Sequence, residues 1–147
     1  MKEKILAVFL VVVFSLTFVS TAAAGDRKLR LPIKDALENP KIKAKLLDVK
    51  LYWGNQKHPR VKARLGEYKT SKRTNAFLKS KAGACQWALA AALLALQERA
   101  VKEGGDAVIN IRSNIRNQEF SSETEYECLV GSMMVNVALK GEVVKLK

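Results

Sequence analysis

Histidine occurs once in these 147 residues, as His58, and cysteine only twice, as Cys85 and Cys128. A metal centre of the zinc type draws on several such ligands at close spacing, so no ligand set of that kind is present. The one thiol–imidazole pair that can be drawn joins His58 to Cys85, at the start of a helix that would lower the thiol's pKa. The phosphate-cradling pattern G-x-x-x-x-G-K-[ST] and the nucleophile elbow G-x-S-x-G are both missing, which leaves nucleotide hydrolysis and serine-type acyl transfer without support. There is no internal repeat and no low-complexity tract. Outside the N-terminus the longest apolar run is Trp87–Leu96, well short of the ~20 residues a bilayer span needs.

The N-terminus is of another character. A basic start, "MKEK", leads into a nearly unbroken apolar run from Ile5 to Val19 and then into "STAAAG". That order of regions is a secretory signal peptide, with Ala22 and Ala24 forming the A-x-A cleavage pattern. Residues 1–24 are therefore expected to be removed, and no cysteine near the cut offers a site for lipid attachment. The formal charge of the chain is +12, and the signal accounts for little of it. Such a surplus favours anionic partners, which outside the cytoplasm are lipopolysaccharide, teichoic acid, acidic lipid headgroups or stray nucleic acid, or else it serves solubility alone. Export to a periplasmic or secreted location also sets the reading of the cysteines: two in an oxidising compartment are one disulfide. A bridge closing a loop of this length would stabilise the fold by about 4 kcal/mol in the chain-entropy picture.

After the signal, residues 25–45 read as a basic arm with a short helix on Ile33, Ala36 and Leu37, stopped at Asn39-Pro40. A domain follows over residues 46–147. Leu47, Val49, Leu51 and Trp53 alternate with polar residues as the inner face of a first strand. Val61, Ala63 and Leu65 do the same in a second, with a bulge expected at Gly66. Cys85, Leu89, Ala92, Leu96 and Ala100 recur at helical spacing, between an N-cap at Ser80 and a stop at Gly104-Gly105. In "DAVINIR" the alternation predicts a third strand with Ala107, Ile109 and Ile111 inward and Val108, Asn110 and Arg112 outward. "SNIRNQEFSSE" reads as a polar loop. A last strand begins with Tyr126, Cys128 and Val130, and its apolar parity then shifts to Met133, Val135, Val137 and Leu139. A bulge at Gly131-Ser132 would return all seven to one face. Cys85 and Cys128 then face each other across the core, and the expected fold is α+β, a β-β-α-β-β domain with one long helix on a small sheet.

Three surfaces are candidates for function. Arg60, Lys62 and Arg64, continued by Lys69, Lys72 and Arg73, form a basic row that can follow a polyanion, with Tyr52, Trp53 and His58 near enough to add stacking. The same row also suits a solvated edge strand guarded against aggregation. Glu123, Glu125 and Glu127 alternate as if on one exposed strand face, a weak site for a hard cation or an ordinary solvated row. The helix is apolar nearly all round, so it is expected to be buried on most sides, either against the sheet and the N-terminal arm or against a second subunit. A protein-interaction role would have its second apolar side, including Leu93 and Leu94, covered by a partner or a twin subunit.

The stretches "YWGNQKHPRVKARLG", "KRTNAFLKSKAGACQWALAAALLALQERA", "GGDAVINIRS" and "FSSETEYECLVGSMMVNVALKG" together resemble a family of small exported bacterial proteins of unknown role, many of which carry the label "excinuclease ATPase subunit". No Walker motif is present here to match that label. More distantly, the helix and the strands after it are similar to the core of YbjQ-type domains and of the Rcs envelope-stress sensor lipoprotein. The resemblance implies an α+β fold stiffened by disulfide bonding. It does not carry over the sensor's lipid anchor or a heavy-metal role, for which this chain lacks the cysteines. The expected role is that of an exported, non-catalytic interaction or binding protein without a cofactor or a specific nucleic-acid partner. The second reading is a binder of anionic envelope polymer or lipid headgroups, and the third a small metal carrier or enzyme.

Overall fold

The computed structural model describes residues 25–147, and the expected signal peptide lies outside them. In chain order the elements are β1 (Arg27–Pro32), α1 (Ile33–Leu37), α2 (Pro40–Lys43), β2 (Lys50–Trp53), β3 (Val61–Asn75), α3 (Lys81–Glu103), β4 (Ala107–Ile115), β5 (Gln118–Phe120), β6 (Glu125–Val130) and β7 (Met134–Leu146). The fold is α+β: α3 packs on one face of a curled seven-stranded sheet, and one disulfide joins helix to sheet.

The long helix forms where its periodicity places it. Ser80 Oγ accepts from the Gly83 N–H at 3.0 Å and so satisfies one of the free donors of the first turn. Gly104 closes the helix in the left-handed region at φ 77°, which a residue without Cβ enters at little cost. Cys85, Leu89, Ala92, Leu96 and Ala100 are all buried against the sheet.

The sheet holds seven strands rather than the four that alternation alone reveals. β1 is an antiparallel edge strand on β6, written with only two apolar residues, Leu29 and Leu31, and so too short to stand out among basic neighbours. α1 ends at its C-cap Glu38, and Asn39 starts α2, its Oδ1 accepting from Lys41 N–H at 3.0 Å with Pro40 at the first helical position. β2 runs parallel to β4 and β3 antiparallel to β7, with the register slip at Gly66, φ 121°, that a bulge requires. The polar stretch read as a loop is largely the β4–β5 hairpin, turned by Arg116-Asn117 with φ of 54° and 59°. Positive φ at both central residues is the two-residue turn that matches strand twist. Arg-Asn lacks the glycine that usually announces it.

Three expected orientations are corrected. Leu47 is 41% exposed, because β2 starts only at Lys50. In β4, Asn110 at φ 49° breaks the alternation and the register slips between Ile109 and Arg112. Val108 and Ile111 therefore join the core under α3, while Ala107 and Ile109 pack with Val144 in a smaller cluster on the other face. At Gly131 the chain reverses instead of bulging: Val130 pairs with Val135 and Leu129 with Asn136 across a tight turn. A reversal restores parity as a bulge would, so Tyr126, Cys128, Val130, Val135, Val137 and Leu139 are buried as expected, but Met133 sits in the turn and is 58% exposed.

Candidate anion-binding surface

Cys85 in the second turn of α3 and Cys128 in β6 are bonded, with Cα atoms 6.0 Å apart, and both are fully buried. The thiol–imidazole pair is thereby excluded, and no free cysteine exists among the described residues. His58 instead places Nδ1 2.8 Å from the Pro59 carbonyl and its ring 5.5 Å from that of Tyr52.

The three glutamates do not share an exposed face. Glu127 is buried, with Lys28 and Arg30 at 3.7 and 3.6 Å from its carboxylate, so cationic side chains occupy the space a metal ion would need. Nor does the helix leave Leu93 for a partner, since it is fully buried within its own chain. Trp87, Ala90, Ala91 and Leu94 line a shallow cleft of about 150 Å³ beside Lys45.

A charge-balanced network stands in the middle of the sheet face opposite α3. Arg112, only 8% exposed, donates from Nη2 to Glu67 at 2.9 Å and from Nε to Glu119 at 3.0 Å. Lys140 Nζ reaches both carboxylates at 2.9 Å. Hydrogen bonds from Arg112, and then from Lys140, hold the Glu119 carboxyl down at about 2 and lower that of Glu67. Burial by itself would lower Arg112, but its bonds to Glu119 and Glu67 outweigh that and raise it. The four residues come from β3, β4, β5 and β7, and no local spacing in the sequence announces them.

The six basic residues of the expected row divide around this network. Arg64 is spent on Glu142, with Nη1 at 2.7 Å from the carboxylate. Lys72 stands opposite Val137, a core residue beneath α3, whereas Lys69 and Arg73 stand opposite Lys140 and Asn136 on the other face. Residues directly opposite in an antiparallel ladder point the same way, so the row is not one stripe. Arg60 and Lys62 flank Val61 at the start of β3, and the Arg60 carbonyl accepts from the Lys147 N–H. Arg60, Lys62, Lys69, Lys72 and Arg73 have no carboxylate within salt-bridge distance among the described residues.

Lys69 gains a neighbour that the linear row lacks. It lines an open cleft of about 360 Å³ together with Arg116, Asn114, Asn117, Asn136 and Ser71. Its Nζ donates to Asn117 Oδ1 at 3.3 Å, and Asn136 Nδ2 donates to Ser71 Oγ at 2.9 Å. No carboxylate lines this cleft; Arg116 is reached from its rim by Asp26 at 3.4 Å. Two cations, three amides and a hydroxyl suit a ligand with anionic and hydroxyl groups. Arg116, Asn114 and Asn117 lie in the stretch expected to be loop, and only the β4–β5 hairpin folds them back beside β3, where Asn136 of β7 completes the set. A second cleft, about 600 Å³ and mainly apolar, lies between α1 and β2 over Ile33, Leu37, Leu51 and Trp53.

No protein-family profile, curated protein or solved structure matches this chain. Among the described residues, no helix is long and apolar enough to cross a membrane.

Proposed function

We propose that this chain is an exported, non-catalytic binding protein of the bacterial envelope that docks on anionic polymer or lipid headgroups through the basic outer side of its sheet. It then stands with the small exported proteins it resembles, in a periplasmic or secreted location after signal cleavage. The observation that carries this reading is the Lys69–Arg116 cleft: two cations among amide and hydroxyl groups, with no carboxylate in the lining. Arg73, on the same face of β3, carries positive charge on from it, and Arg60 and Lys62 at the start of the strand have no carboxylate partner among the described residues. The buried disulfide supports export, since such bonds persist in oxidising compartments.

Retention of the mature protein on an anionic matrix tests the reading. Elution should move to markedly lower salt when Lys69, Arg73 and Arg116 are replaced together by alanine, and stay in place when Lys41, Lys43 and Lys102 are. Equal shifts in both triple variants would reduce the binding to net charge and remove the cleft from the account.

A further inference from the structure

The β3–α3 connection and the β6–β7 turn meet at one end of the molecule. The Ala76 N–H donates to the Met133 carbonyl at 2.7 Å, and Asn75 pairs with Met134. Six large apolar residues are exposed among those described, and four of them gather here: Phe77 at 57%, Leu78 at 89%, Met133 at 58% and Met134 at 43%. Scattered single apolar residues are ordinary on a surface, but a contiguous group marks a contact.

The tip is a built turn. Asn75 Oδ1 accepts from the Phe77 N–H at 2.7 Å, and the Lys79 N–H donates to the Ala76 carbonyl at 3.2 Å. Leu78 between them lies at φ 58°, a region that side-chain-bearing residues enter at a cost. A glycine would relax the backbone there. The fold instead keeps a leucine that touches little of its own protein.

Cations ring this tip. Lys72, Arg73 and Lys79 have no carboxylate within salt-bridge distance among the described residues. Lys81 Nζ is held at the turn by the Gly131 and Ser132 carbonyls at 3.1 and 2.8 Å. Arg73 shares a cleft of about 300 Å³ with Met133 and Met134; the acid in its lining, Asp26, is paired with Arg116. A protruding apolar tip ringed by uncompensated cations is complementary to an anionic bilayer surface, where apolar side chains enter the acyl boundary and cations stay among phosphates.

We propose that Phe77 and Leu78, flanked by Met133 and Met134, insert into the surface of an anionic lipid bilayer while Arg73, Lys79 and Lys81 contact its headgroup phosphates. This rests on the reading of the protein as an anion binder, and adds an apolar, salt-resistant component that the Lys69–Arg116 cleft does not require.

The experiment is co-sedimentation of the full mature chain with phosphatidylcholine vesicles, with and without phosphatidylglycerol, alongside retention on the anionic matrix. Binding should need phosphatidylglycerol. The F77S/L78S variant should lose about tenfold or more in partitioning, the scale set by removing two large apolar side chains from a buried position, with matrix retention unchanged. L78G, which relieves the backbone, should bind more weakly at a thermal stability no lower than that of the parent chain, separating the contact from folding. In L78W, indole emission should shift to the blue on vesicles and be quenched by brominated acyl chains. Vesicle binding by F77S/L78S equal to that of the parent chain, or L78W emission unmoved on vesicles that bind it, would overturn tip insertion while leaving the anion-binding cleft standing. A blue shift of L78W without vesicles, growing with protein concentration, would assign the tip to a second copy and overturn it as well. Loss of both vesicle and matrix binding in the parent chain would remove both readings.

Discussion

Gln97, buried in the C-terminal third of α3, holds the backbone of Leu47 on both sides: its Oε1 accepts from the Leu47 N–H at 2.8 Å and its Nε2 donates to the Leu47 carbonyl at 2.9 Å. The same Nε2 lies 2.9 Å from the Val49 carbonyl. One amide thus stands in for a strand neighbour where β2 has not yet begun. Gln97→Ala strands these backbone groups at a half-buried site and should cost about 2–4 kcal/mol in urea unfolding. A loss under 1 kcal/mol, the range of an ordinary surface change, would mean that water takes over the amide's role.

Opening the Cys85–Cys128 bond releases a loop of 43 residues in the unfolded chain. The C85S/C128S variant should lose roughly 3–4 kcal/mol. Calorimetry on the two forms checks this, and thiol titration of the unfolded, unreduced parent should find no free sulfhydryl.

The carboxyls of Glu67 and Glu119 are depressed in the fold, that of Glu119 from 4.5 to about 2. A group whose folded pKa lies below its unfolded value adds stability above the unfolded value and loses it as pH falls through the folded one. Melting temperature should therefore fall as pH drops from about 4.5 toward 2. In E119Q that slope should be shallower, and an unchanged slope would place acid sensitivity elsewhere.

Arg64 and Lys69 lie on the same strand with opposite prospects. Arg64 is bonded to Glu142 whereas Lys69 has only an amide neighbour. K69A should elute from an anionic matrix at lower salt than R64A/E142A, because the double variant removes a pair already neutralised and leaves the net charge unchanged. The reverse order would shift the binding surface to the start of β3.

At Gly104 the backbone sits at φ 77° with open space where a Cβ would stand. Gly104→Ala should cost about 1 kcal/mol, from backbone strain alone. Thermal melts of the two forms measure it.

How much of this was legible follows from range. The span of α3, its Ser80 cap, its Gly104 stop and the bulge at Gly66 each rest on residues a few positions apart, or on a strong period that packing respects, while the bonding of Cys85 to Cys128 follows from there being two cysteines in a chain expected to be exported. β1 and β5 were not legible, since a strand with one or two apolar residues is recognisable only once its partner is in place. The parity of β4 was lost at Asn110, where a positive φ and a register slip put Ile111 on the face of Val108 and not on that of Ile109.

The basic row shows the same division. The sequence by itself determined that cations would exceed anions along β3, because charge is a property of composition. Only the tertiary structure decided which are spent and which are free. Glu142 neutralises Arg64 from β7, Arg112 and Lys140 take up Glu67 and Glu119, and the β4–β5 hairpin sets Arg116 beside Lys69. Electrostatic contacts of a few ångströms depend on which strands become neighbours, and strand order is set by burial of the whole core, not by any stretch of the chain read alone.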